Sequence, residues 1–196
     1  MLLSDRFKNA LTMTFELHRR QFRKGTRIPY VAHLLAVTSI ILENGGSEDE
    51  AIAGLLHDAI EDQARNGRTR EEILSKFGEA VLKTVEECSD GAAHPRDGTL
   101  GNWRLRKEEY LAHITDATGS ACLVSGADKI HNLQSILRDL IANGEELWGR
   151  FTGGKDGTVW YYCELAKAFR KSRKLPGVMM EELDRLVGEL NSRLGA

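Results

Sequence analysis

Six consecutive residues, His57-Asp58-Ala59-Ile60-Glu61-Asp62, place one imidazole and three carboxyl groups together. On a helix, positions four apart share a face, so His57 aligns with Glu61 and Asp58 with Asp62. The stretch just before them, Ala51-Ile52-Ala53-Gly54-Leu55-Leu56, carries no charge. It reads as a helix apolar on nearly all sides, which belongs in the middle of a domain. Several carboxylates in such surroundings are costly to bury unless a cation compensates them. A divalent metal supplies that charge. A mixed carboxylate and imidazole set suits manganese, iron, zinc or magnesium without selecting among them. The plainer reading is a solvated helix end, and the apolar run directly before the cluster argues against it.

A metal draws ligands from more than one element. His33, on the preceding helix, and Asp128, in the otherwise apolar SGADKIHNLQSIL, are the candidates. His33, His57, Asp58 and Asp128 together offer nitrogen and oxygen ligands with room for water. An open position on a hydrolytic metal lowers the pKa of bound water toward neutrality. Glu61 and Asp62 are then placed to accept a proton from that water or to orient it. Singly, each residue has a bland reading: His33 as a hydrogen-bonded core histidine, Asp128 as an anchor for Lys129 or a helix cap. The joint pattern points to a metal.

The elements that must position these residues are helices. Phe7, Leu11, Phe15 and Phe22 mark a first helix with Ser4 as its N-cap. Pro29 suits the first turn of a second, through Ala32, Leu35, Val37 and Ile41, closed by Asn44-Gly45-Gly46. Ser47, with Glu50 three residues on, is a capping box. It opens a third helix expected to run unbroken through Asp62. Further helices are predicted over 69–77, 79–87, 103–117, 120–143, 158–173 and 178–194. Gly78 breaks the first two of these apart. Residues 89–102 read as a long loop and 153–157 as a glycine-rich turn. No strand alternation persists. One all-α domain over 1–196 is expected, a helical bundle of about eight to ten helices.

The formal net charge is −2, so neither nucleic acid nor a membrane surface is an expected partner. A small anionic substrate needs only a local cationic pocket. No apolar run approaches ~18 residues, and the opening MLLSDRFKNALTM meets charge too early for a secretory signal. Cys88, Cys122 and Cys163 are odd in number and lack CxxC spacing. They read as reduced thiols of a cytoplasmic protein. Nothing in the sequence speaks to oligomeric state.

QFRKGTRIPYVAHLLAV, AGLLHDAIED, FGEAVLKTVEECSD and ACLVSGADKIHNLQSIL occur in that order. In this the chain resembles the hydrolase domain of RelA/SpoT-type alarmone enzymes, above all the stand-alone small alarmone hydrolases. The resemblance runs from about Glu16 to Tyr162 and includes WGRFTGGKDGTVWYY. It implies an all-α HD domain that uses Mn²⁺ and removes pyrophosphate from the 3′ position of (p)ppGpp, giving GDP or GTP. Matched by motif, the metal ligands fall on His33, His57, Asp58 and Asp128, and the water-positioning pair on Glu61 and Asp62. The RK motif falls on Arg23 and Lys24, with the arginine on the nucleobase, and the Asn of the HN pair on Asn132. His18 occupies a position where the family also has histidine, with a supporting role. The family's Asp-Arg is Asp128-Lys129 here.

Phosphates need cations besides the metal. Arg23 and Lys24 are joined as candidates by Lys107, after the long loop, and Lys155, in the glycine-rich turn. That turn lacks the preceding strand and the GK[ST] ending of a P-loop. His94 and His113 read as loop and surface residues. Trp148, Phe151, Trp160, Tyr161 and Tyr162 read first as core packing, with base stacking as the sharper alternative. Two rivals stay open. One is a hydrolase of adenine alarmones, (p)ppApp, or of another nucleotide phosphate ester. The other is a nucleotide sensor without catalysis.

Overall fold

The computed structural model describes residues 2–63, 67–89 and 99–195. His94, Pro95 and most of the expected loop 89–102 lie outside the described residues. In chain order the helices are α1 (Asp5–His18), α2 (Val31–Glu43), α3 (Glu48–Leu56), α4 (Ala59–Asp62), α5 (Arg68–Phe77), α6 (Glu79–Cys88), α7 (Leu100–Asp116), α8 (Gly119–Asn143), α9 (Gly154–Ser172) and α10 (Gly177–Leu194). A 3₁₀ segment, Gly144–Arg150, precedes α9. Among the described residues the extended pairing is an isolated bridge, Phe22 to Pro29. The all-α expectation is met, and among the described residues no helix is long and apolar enough to cross a membrane.

The chain contacts divide into two compact units. One comprises Met1–Ser89 with Thr118–Asp128, the other Asp90–Ala117 with Lys129–Ala196. In the first, α3 packs against α1, α2 and α6. It starts with the expected capping box, Ser47 and Glu50 each bonding the other's backbone N–H. Ile52, Leu55 and Leu56 are fully buried, each stabilising the fold by about 1.5–3 kcal/mol. Gly54 leaves room for α2 side chains against α3. A Cβ there would stand 2.4 Å from Ile41 Cδ1 and 3.4 Å from Thr38 Oγ1. From α1, Thr14 Oγ1 donates to the Leu55 carbonyl at 3.1 Å.

Three sequence expectations need correction here. Helix α1 ends at His18, and Phe22 lies beyond it, in the bridge with Pro29. Phe15 and Phe22 are 53 % and 56 % exposed; the buried stripe is Ala10, Met13, Thr14 and His18. Helix α2 starts at Val31, after Pro29, and buries His33, Leu34, Val37, Thr38 and Ile41 while Ala32 and Leu35 face solvent. The spacing of large side chains was a poorer guide than a stripe that includes polar groups, because the polar groups there are held by partners. Lastly, the third helix is not continuous. It stops at Leu56, turns at His57-Asp58, and resumes as α4.

In the second unit α9 packs against α7, α10 and the 3₁₀ segment. Leu165, Phe169, Leu183 and Leu190 are buried. Helix α9 begins at Gly154, so the expected glycine-rich turn is largely its first turn. Its glycines serve packing: a Cβ on Gly153 would come 2.6 Å from the Trp103 ring, and one on Gly157 3.1 Å.

Candidate metal centre

The turn at His57-Asp58 aims both side chains at the first turn of α2 and at the middle of α8. His57 Nε2 lies 3.0 Å from Asp58 Oδ2 and 3.7 Å from Asp128 Oδ1. His33 Nε2 lies 3.2 Å from Asp128 Oδ1 and 3.8 Å from Asp58 Oδ2. Four donor atoms from three separate stretches of chain thus converge. His33, His57 and Asp128 are buried.

The protonation of His57 shows what belongs between these atoms. Its Nδ1 is 2.8 Å from the Gly54 carbonyl oxygen, which can only accept, so Nδ1 carries a proton. The Nε2 atom is buried and has no hydrogen-bond partner. It faces two carboxylate oxygens. Anionic oxygens gathered this closely call for positive charge, which a proton on an imidazole or a bound cation supplies, and two imidazoles with two carboxylates form a borderline-hard set suited to a divalent transition metal. The demand for positive charge is visible in the titration of the groups. Burial opposes a charged His57, yet Asp58 and Asp128 outweigh it and raise its pKa well above the ordinary value. Burial likewise opposes a charged Asp58, and His57 outweighs it, holding the carboxyl well below the usual range. His33 is shifted down, by burial first, with Asp128 opposing.

A surrounding layer holds the ligands. Tyr30 donates its hydroxyl to Asp58 Oδ2 at 2.5 Å. Burial, and then Asp58 itself, push the phenol pKa far above normal, so the group stays a donor. The Tyr30 ring stacks on His18, with centroids 5.5 Å apart and planes at 25°, and meets His33 edge-on. Asp62, at the end of α4, accepts from Gln21 Nε2 at 2.7 Å. Gln21 Oε1 lies 2.7 Å from His18 Nδ1 and accepts from Gln63 Nε2 at 3.0 Å. Burial raises the Asp62 pKa, the Gln21 bond tempers the rise, and Asp58 adds to it. Glu61 stands beside Asp62 on α4, half-buried.

Arg23 and Lys24 sit in the loop closed by the Phe22–Pro29 bridge. Arg23 N–H donates to the Ile28 carbonyl at 2.9 Å, and Arg23 C=O accepts from Thr26 N–H at 3.0 Å. The Arg23 charge is felt at His33, while Lys24 is exposed. The other candidates belong to the second unit. Lys107 Nζ stands 4.8 Å from the Tyr161 ring centroid. Lys155 Nζ pairs with Glu145 at 3.2 Å. Asn132 is half-buried on α8. Trp148, Tyr161 and Tyr162 are buried, and the Arg104 guanidinium covers Trp160 at 3.2 Å. His113 is exposed, as expected.

Sequence reasoning missed Tyr30, Gln21 and Gln63. The signal for one of them was partial: a helix continued through Phe22 would bring His18 and Gln21, three apart, onto one face, whereas the two meet through the turn that follows α1.

Comparison with known proteins gives a consistent picture. Residues 10–158 match the HD domain family. Guanosine-3′,5′-bis(diphosphate) 3′-pyrophosphohydrolase MESH1 of Xenopus tropicalis is 36 % identical over 132 residues, which is 66 % of this chain and 68 % of that one. The Danio rerio MESH1 is 32 % identical over 126 residues, 63 % of this chain and 64 % of that one. Among solved structures, a metazoan ortholog of SpoT that hydrolyses ppGpp and acts in starvation responses shares the fold. Its TM-score is 0.77 at 24 % identity, covering 96 % of this chain and 97 % of that one. A Listeria monocytogenes protein superposes with a TM-score of 0.66 at 27 % identity, covering 79 % and 96 % of the two chains.

Proposed function

This chain belongs to the HD domain family, in its RelA/SpoT-type group of stand-alone alarmone hydrolases, and from that premise we propose that it hydrolyses the 3′-pyrophosphate of (p)ppGpp to GDP or GTP and pyrophosphate. The observation that carries the reading is the convergence of His33, His57, Asp58 and Asp128 around one point, with the Asp62 carboxylate fixed on the adjoining turn.

The ion is Mn²⁺ in this reading, held by those four side chains. When bound it makes water more acidic and neutralises phosphate charge. The protein's own residues do the rest. Asp62 and Glu61 orient the attacking water and take its proton; burial raises the Asp62 pKa and makes it a better acceptor. The water oxygen bonds to the phosphorus at the 3′ position, the bond from phosphorus to the 3′ oxygen breaks, and that oxygen leaves and is protonated. Tyr30 keeps Asp58 turned toward the histidines. Arg23 packs on the nucleobase, with Lys24 near it. Asn132, Lys107 and Lys155 contact the nucleotide, which the Michaelis constants of their alanine variants test. Residues 1–196 act as one HD domain, in the cytoplasm, on a small nucleotide rather than on nucleic acid or membrane.

The deciding experiment is pyrophosphate release from ppGpp and ppApp in parallel, with Mn²⁺ and with chelator. Mn²⁺-dependent release, faster from ppGpp and lost in Asp58→Ala, is the expected result. Faster release from ppApp makes the protein an adenine alarmone hydrolase. Release from neither overturns the proposed activity in favour of another phosphate ester or a sensor.

A further inference from the structure

The residues flanking the Arg23-Lys24 loop do more than close it. Tyr30 N–H donates to the Gln21 carbonyl at 2.9 Å, so the two stand opposite each other at the loop's base. Their side chains go to the two acids of one helical turn, Tyr30 to Asp58 and Gln21 to Asp62. The Gln21 amide is held from three sides. An ionised Asp62 can only accept, so the Gln21 NH₂ must face it. The Gln21 oxygen then faces His18 Nδ1 at 2.7 Å and the NH₂ of Gln63 at 3.0 Å, both as donors. Turning the amide over would set NH₂ against NH₂ at Gln63 and oxygen against carboxylate at Asp62. His18, fully buried and stacked on Tyr30, has no room to swing away.

We infer that Gln21 is a positioning residue that fixes the Asp62 carboxylate in the orientation needed to take a proton from water. The inference rests on the hydrolase reading for the meaning of that orientation, and on the hydrogen-bond geometry alone for the contact. Gln21 itself touches no reacting atom. With that donor gone the carboxylate would spend part of its time turned away from the orientation seen here, and the loss would fall on turnover rather than on substrate affinity.

Gln21→Met keeps length and removes all three side-chain hydrogen bonds. Gln21→Leu removes the same bonds with a different shape and adds no charge beside Asp62; it is the variant to read if the methionine form does not fold. The first readout is the Asp62 carboxyl titration by ¹³C NMR in metal-free protein. The charged groups felt by Asp62 are Asp58, His18 and His57; neither variant replaces any of them, and both take away the acceptor that faces His18 Nδ1. Loss of the donor is expected to move the Asp62 titration upward; an unmoved titration overturns the contact. The second readout is pyrophosphate release. Turnover is expected to fall about 10- to 100-fold with KM and Mn²⁺ affinity unchanged, and Gln21→Met is expected to cost nothing further in an Asp62→Asn background. Additive losses in that double variant overturn the positioning role. Should the unaltered protein release no pyrophosphate, the hydrolase reading fails, and the titration still decides the contact.

Discussion

The two units of the chain treat charged side chains in opposite ways. In the first, imidazoles and carboxylates are drawn out of solvent and pointed at one another, and His57 Nε2 is left with no hydrogen-bond partner. In the second, cations lie on aromatic rings: Arg104 on Trp160 at 3.2 Å, Lys107 beside Tyr161 at 4.8 Å, and Lys129 beside Tyr110 at 4.9 Å. A cation over a ring face is already partnered, and its stem covers apolar surface as well. Buried imidazoles and carboxylates that face one point are a donor set of the kind that holds a cation. The first arrangement therefore suits an ion, whereas the second already sets its cations against rings of the same chain. Charged residue counts do not separate the two cases; the direction in which the groups point does.

The largest effect expected of any change to this contrast is at Asp58. Asp58→Ala removes a ligand atom that faces both histidines, and it should abolish both Mn²⁺ binding, read by calorimetry, and pyrophosphate release. Retained metal binding would show that Asp58 is not needed to hold the ion. Tyr30→Phe is milder, since it removes only the donor to Asp58 while keeping the ring against His18 and His33. A loss of about 10- to 100-fold in metal affinity or turnover is expected.

Two changes in the second unit sharpen the contrast from the other side. Gly153→Ala would press a methyl group into the Trp103 ring, which cannot bend, and should lower stability by about 1–3 kcal/mol. Thermal unfolding would read this, with Mn²⁺ affinity unchanged. Arg104→Ala gives up a contact at an exposed position, expected to be worth about 0.5–1 kcal/mol. Unfolding in denaturant would show a small shift in midpoint and no change in metal affinity. A large loss of metal in either variant would mean that the second unit is not purely structural.

Much of this was legible before any coordinates. The capping box at Ser47 and Glu50, the Ser4 cap, the break at Gly78 and the apolar run before His57 all depend on residues within one or two turns of each other. Short-range rules suffice for such features, because the groups that decide them are already neighbours in the chain. The candidate ligands were legible for a related reason: imidazole and carboxyl groups inside apolar stretches are expensive to bury without a partner. Their types and settings mark them even when the partner is unknown. Less visible was the turn at His57-Asp58, where a continuous helix was expected, since nothing in HDAIED breaks a helix by propensity.

What the sequence determined by itself was therefore the helical class, most element positions and which imidazole and carboxyl groups were candidates for a cation. What only the tertiary structure decided was which of them meet, and what holds them. Tyr30 reaches Asp58 across 28 positions of sequence and Gln21 reaches Asp62 across 41. Gly54 was one small residue among many until Ile41 was seen to occupy the space its side chain would fill. No periodicity encodes contacts of that span. They are set by how α1, α2 and α3 pack, and packing depends on the shapes of both partners at once.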